Sequence, residues 1–87
     1  MSDWIFITGG AQRIGKAIAE HFHNNNWNVI IHYRNSEKEA IELKQKFNSV
    51  RENSFEIIKA DLDASASVED LCKKVLEISP NLKAIIN

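Results

Sequence analysis

The chain is poor in the residues that staple, break or anchor a fold. Its 87 residues include one cysteine, one proline and one tyrosine. The lone Cys72 rules out an intrachain disulfide and a zinc site of the multi-cysteine type. There is no long apolar run, and the first one, Trp4 to Ile7, follows no basic stretch. Neither a signal peptide of the usual kind nor a membrane-spanning helix is expected, and the expected compartment is the cytoplasm. There is also no excess of one charge. At a net charge of -1 the chain offers no field for nucleic acid or an anionic membrane surface. Lys and Arg are scattered, and the two Trp residues do not interleave with a basic patch, so neither nucleic acid nor membrane is an expected partner. What remains is 44% apolar and 26% charged, the composition of a globular domain. The length allows one such domain, with a modest core.

Apolar runs and helical stripes alternate along the chain. Trp4-Ile5-Phe6-Ile7 reads as a buried strand stopped by Thr8 and two glycines. Ile14, Ala17, Ile18 and Phe22 recur at helical spacing, and Asn24-Asn25-Asn26 ends that helix. Trp27 to His32 is a second strand. Ser36 and Glu39 have the spacing of a capping box, and behind them Ala40, Leu43, Phe47 and Val50 trace one helical face. Phe55 to Ile58 is a third strand. Ser65 or Ser67 caps a third helix with the stripe Val68, Leu71, Cys72, Val75 and Leu76, which makes Cys72 a core residue. After Pro80, Leu82 to Ile86 is a fourth strand.

The order β-α-β-α-β-α-β with strands this apolar predicts an α/β fold on a parallel sheet. Right-handed crossovers put the first two helices on one face and the third on the other. The expected strand order is 3-2-1-4, that of a Rossmann-like sheet. Strand four would then be an open edge, and a face covered by a single helix would leave apolar surface bare. The chain is therefore expected to be a piece of something longer, truncated after strand four, with residues 1–87 forming the N-terminal part of a dinucleotide-binding domain.

The turn after strand one reads TGGAQRIGKA from Thr8 to Ala17 and parses in two ways. From Gly10 it is G-x-x-x-x-G-K-A, one hydroxyl short of a nucleoside-triphosphate loop. That loop needs Ser or Thr after the Lys to ligate Mg²⁺, and here Ala17 stands there. From Thr8 it is T-G-x-x-x-R-x-G, placed between the first strand and the first helix, where backbone N–H groups and the helix dipole attract a pyrophosphate. Gly9 would permit the tight turn and Gly15 the close approach of helix and strand, with Gln12 and Ile14 in the same loop. Two glycines that merely end a strand would not account for Thr8 and Gly15 at these spacings.

Thr8-Gly9-x-x-x-Arg13-x-Gly15 resembles the short-chain dehydrogenase/reductase family. Most of that family has glycine at the position of Arg13. Arginine there, with Tyr33-Arg34 closing the second strand, is similar to the pteridine reductase branch, including the dihydromonapterin reductases. Ala84-Ile85-Ile86-Asn87 resembles the start of the family's Asn-Asn-Ala motif. The resemblance implies that Asn87 approaches the cofactor ribose, that Asp61 and Leu62 contact the adenine, and that Arg13 neutralises the pyrophosphate or reaches toward a pterin. Arg13 as a solvated first-turn residue and Asp61 as an ordinary turn residue stay open.

The end of strand two selects the coenzyme. NAD enzymes usually place Asp or Glu there. This chain has His32-Tyr33-Arg34-Asn35-Ser36, with no carboxylate before Glu37. Arg34 supplies a guanidinium for a 2′-phosphate, and Ser36 and the opening amides of the second helix add donors. NADPH, the reduced form of NADP, is the expected cofactor. Arg34 in solvent and Ser36 acting only as a cap is the alternative.

The resemblance implies an NADP-dependent oxidoreductase acting on a small-molecule substrate, a pterin suspected, and a homo-oligomer when full length. It places the family's catalytic Tyr and Lys beyond residue 87 and gives no catalytic residue here, so the piece alone should be inactive. Tyr33 sits at the adenosine end and cannot reach a reacting carbonyl. A nucleotide-binding regulatory module without a catalytic half, or a reductase of a non-pterin carbonyl, remains the alternative. A flavodoxin-like domain would want acidic residues where Thr8 and Gly9 stand. His21 and His23, two apart on a helix, are poor metal partners, and no metal site is expected.

Overall fold

The computed structural model describes residues 3–9, 13–60 and 65–86, the side chains of 65–67 excepted. Seven elements alternate: β1 (Trp4–Ile7), α1 (Arg13–Asn24), β2 (Asn28–Tyr33), α2 (Glu37–Val50), β3 (Phe55–Lys59), α3 (Ser65–Ile78) and β4 (Ala84–Ile86). The four strands form one sheet in the order β3-β2-β1-β4, and every pairing is parallel. Both the order and the alternation follow the sequence pattern. β1 is central, with Phe6 in register with Ile30 on one side and Ile85 on the other.

A strand buried on both faces must be apolar at successive positions, and Ile5, Phe6 and Ile7 are all buried. On one face, Ile5, Ile7, Val29 and Ile31 pack under Ala19 of α1 and Ala40, Leu43 and Phe47 of α2. On the other, Phe6, Ile30 and Ile58 meet Leu71 and Val75 of α3. The expected distribution of helices, two over one face and one over the other, is what forms.

Four features depart from the sequence expectation, and each has a local cause. The α1 stripe is rotated: Ala19 and His23 are buried and Ile18 and Phe22 half-buried, whereas Ile14 is 76% exposed and Ala17 is also exposed. Small Ala19 lets the helix sit close to β1, and His23 is tolerated because its polar atom is satisfied. Val50, expected on the buried face of α2, is exposed because it is the last residue of that helix. The Ser36 side chain makes no capping hydrogen bond; at φ -92° and ψ 50° its backbone is not extended as a capping serine requires. On α3, Leu71 and Val75 of the expected stripe are buried, whereas Cys72 is exposed, not core, as are Val68 and Leu76. Cys72 borders an open groove with Val68, Leu76, Leu82 and Ile85, the bare apolar surface expected on the face that α3 alone covers.

The amino-terminal rim of the sheet is tied by side chains. The Asn48 amide oxygen accepts the backbone N–H of Ser54 and of Phe55, and its NH₂ donates to the Phe55 carbonyl, each at 3.0 Å. The Arg51 guanidinium donates to the Trp27 carbonyl at 2.7 Å and to that of His23 at 3.4 Å. It thereby places a cation at the carboxyl end of α1, where the helix dipole favours one. Ser54 Oγ gives its one proton to the Arg51 carbonyl, so it accepts from His23 Nε2 at 2.7 Å. His23 therefore carries its proton on Nε2.

α1 ends in a Schellman motif. Trp27 N–H donates to the Phe22 carbonyl at 3.0 Å and Asn26 N–H to that of His23 at 3.1 Å, with Asn26 left-handed at φ +69°. The Phe22 and Trp27 rings meet edge to face at 5.5 Å, the apolar contact that accompanies this motif. Asn26→Ala is expected to lower stability by about 1 kcal/mol and Asn26→Gly to hold or raise it. Urea midpoints of the two variants would check this, and equal midpoints would refute the motif's role.

Burial first, and then the charge of Arg51, push the His23 pKa below its ordinary value of 6.5. In the interval between the folded and the ordinary pKa, the unfolded chain binds a proton that the folded chain does not. This contribution to stability is full above about pH 6.5 and falls as pH drops below it. Denaturation midpoints of the wild type should decline on that acid side more steeply than those of His23→Leu. Parallel pH profiles would show that His23 is not the group responsible.

Candidate functional site

The carboxyl ends of the four strands converge on one rim. Thr8 and Gly9 leave β1, Arg34 to Ser36 leave β2, Ala60 leaves β3, and Ile86 ends β4. Between β1 and β4 the chain direction across the sheet reverses, the switch point at which open α/β sheets bind ligands. Thr8 stands there. Its N–H donates to the Ile86 carbonyl at 3.0 Å, and its hydroxyl lies 3.4 Å from the same oxygen.

All three glycines of the chain fall within eight residues of the end of β1, at 9, 10 and 15, the last of them in the first turn of α1. Gly9 is left-handed at φ +66°, and among the described residues a Cβ added there would meet nothing within 4 Å. The glycine is thus demanded by its backbone angle, and the space above it is open to a ligand. Its N–H is already spent: it donates to His32 Nδ1 at 3.2 Å. Gly9 shapes the turn, and any pyrophosphate donors come from elsewhere in the loop.

Arg13, the first residue of α1, is also left-handed, at φ +44°, with an exposed side chain. That backbone is the one glycine adopts freely, which gives a physical reason why glycine suits this position and why arginine there carries strain. Ile14 is exposed on the first turn of the helix, and Gly15 is half-buried. Gly10, Ala11 and Gln12 lie outside the described residues, as do Asp61, Leu62 and Asn87.

At the exit of β2, His32 and Tyr33 are buried, Arg34 and Asn35 exposed, and Ser36 half-buried. The strand's alternation sends Tyr33 under α2 and His32 to the opposite face. Burial of the phenol, and then the Glu37 carboxylate, raise the Tyr33 pKa above its ordinary value, so the group stays protonated at neutral pH. With Ser36 making no capping bond, its hydroxyl is not committed to the opening turn of α2. Glu37 and Glu39 in that turn complement the helix dipole. Among the described residues no cluster of His, Cys, Asp and Glu could hold a metal ion, and no helix is long and apolar enough to cross a membrane.

A model of the short chain dehydrogenase family matches residues 3–87. The chain belongs to this family. It is 30% identical over 77 residues to an uncharacterized oxidoreductase of Bacillus subtilis, 88% of this chain and 32% of that protein. It is 38% identical over 61 residues to pteridine reductase 1 of Leishmania tarentolae, 70% of this chain and 21% of that protein. It is 35% identical over 83 residues to a dihydromonapterin reductase of Citrobacter koseri, 95% of this chain and 32% of that protein. The chain therefore spans at most about a third of the length of these relatives. Members of this family are in general oxidoreductases that use a nicotinamide dinucleotide.

The residues brought together are Thr8, Gly9, Arg13 and the Arg34–Ser36 exit, all on one rim. His32 is drawn beneath that rim and Tyr33 to its far face. Sequence reasoning missed His23, although residues 15, 18, 19, 22 and 23 carry the i, i+3, i+4, i+7, i+8 spacing of a buried stripe.

Arg13→Gly is expected to leave stability unchanged or raise it by up to about 1 kcal/mol, because relief of the left-handed strain outweighs the added freedom of the unfolded chain. Arg13→Ala keeps the strain and should bring no gain. Thermal unfolding of the two variants separates the outcomes; a stabilised alanine variant would contradict a strained Arg13.

Proposed function

We propose that the chain is the coenzyme-binding part of an NADPH-dependent reductase, with a pterin as the substrate class of the whole protein. The observation that carries the coenzyme reading is the exit of β2. Arg34 emerges there with no carboxylate before it, beside a Ser36 hydroxyl not spent on capping. A guanidinium binds phosphate through paired charge-assisted hydrogen bonds. The residues also suit the rest of a dinucleotide: Gly9 leaves space above the backbone for close approach, and α1 opens toward the same rim.

In this reading Arg34 and Ser36 hold the 2′-phosphate, and Thr8 and the opening of α1 hold the pyrophosphate end. Asp61 and Leu62 meet the adenine, and Asn87 the ribose. The coenzyme supplies hydride when bound; the chain's residues fix its adenosine half. Arg13 reaches from the loop toward the pyrophosphate or a pterin, and the similarity to pteridine and dihydromonapterin reductases supports the pterin. Tyr33 is the chain's one tyrosine and is buried, so it donates no proton to substrate. In this reading these 87 residues contribute to coenzyme binding, and the whole protein works in the cytoplasm as a homo-oligomer.

Titration with NADPH and NADH tests this. NADPH should bind at least about tenfold more tightly, and Arg34→Asp should abolish or invert the preference. Equal affinities in the wild type would remove the phosphate argument.

A further inference from the structure

We infer that His32 is a positioning residue that ties the phosphate loop to the exit of β3 and so sets the spacing between the two walls of the coenzyme cleft. The inference rests on the coenzyme reading above. The ring is buried, and both its nitrogens are used. Nδ1 lies 3.2 Å from the Gly9 nitrogen, and a backbone N–H can only donate, so Nδ1 is the acceptor and carries no proton. Nε2 lies 2.6 Å from the Ala60 carbonyl, which can only accept, so Nε2 carries the proton. The two bonds therefore place the ring proton on Nε2 and leave Nδ1 to accept.

The consequence is mechanical. Gly9 begins the loop that would meet the pyrophosphate, and Ala60 immediately precedes Asp61 and Leu62. Neither segment is paired directly to the other, because β2 lies between β1 and β3. The imidazole spans that intervening strand's width. It holds Gly9 in its left-handed turn by occupying the amide, and it pins the Ala60 carbonyl at the end of β3. His32 meets no coenzyme atom in this account; it acts through Gly9 and Ala60.

Side-chain length gives a test that separates the two bonds. The amide oxygen of Asn stands as many bonds from Cα as Nδ1, so His32→Asn keeps the acceptor for Gly9. The amide nitrogen of Gln stands as far out as Nε2, so His32→Gln keeps the donor to Ala60 and loses Gly9. His32→Leu loses both. In the full chain free of coenzyme, ring ¹⁵N signals should show Nδ1 bare and Nε2 protonated. The Gly9 amide should exchange with solvent about tenfold faster in the Gln and Leu variants than in the wild type and the Asn variant. NADPH affinity should fall about tenfold in Gln and Leu and by less in Asn.

Rescue by Asn is the result a merely space-filling histidine would not produce. A proton on Nδ1, or Gly9 exchange that is the same in all variants, overturns the inference whatever the coenzyme does. Should the Leu variant fail to fold, the wild-type ring signals and the Asn–Gln contrast decide the matter. If the wild type binds neither coenzyme, the proposed function fails, while the exchange contrast still judges the tie.

Discussion

The parallel pairing of β1 with strands on both sides is the constraint on which everything else rests. β1 is four residues long, and its neighbours are the next strand in sequence and the last one. Because both edges are used, both faces must be covered, and each covering helix has to return the chain to the same end of the sheet. That geometry sends every strand exit to one rim. The site is a product of the topology before any particular side chain contributes to it.

The two rims are held differently. At the amino-terminal one, Asn48, Arg51 and Ser54 bond backbone groups and His23 donates to the Ser54 hydroxyl, a set that ties the ends of α1 and α2 to the starts of β2 and β3. At the carboxyl rim, among the described residues, His32 bridges two strand exits and the Thr8 hydroxyl reaches the end of β4. The amino-terminal set lies away from the rim on which a ligand is expected. The opposite rim keeps its loop geometry through glycine, a left-handed Arg13 and one imidazole.

The strands, their order and the faces taken by the helices were legible in the sequence because burial on both sides demands unbroken apolar runs, and helix burial demands a 3.6-residue period. The loop was legible because backbone angles restrict Gly9. What was not legible depends on where an element stops and which way it is rolled. Val50 falls at a helix end and Cys72 on the groove side of α3, so neither is core despite its spacing. Ser36 has the residue type of a cap but not its backbone angles. His23 and His32 look like surface residues on polarity alone. Their burial follows from partners far along the chain, Ser54 for one and Gly9 with Ala60 for the other. Local pattern carries no information about such partners.

Cys72 offers a practical handle. It is the chain's only thiol, and it borders the apolar groove beside α3. A solvatochromic dye coupled to it would sit beside Val68, Leu76 and Ile85, in a groove that also reaches Thr8 at the end of β1. Its emission would then register wetting or covering of that one surface, a readout confined by the protein's own scarcity of sulfur.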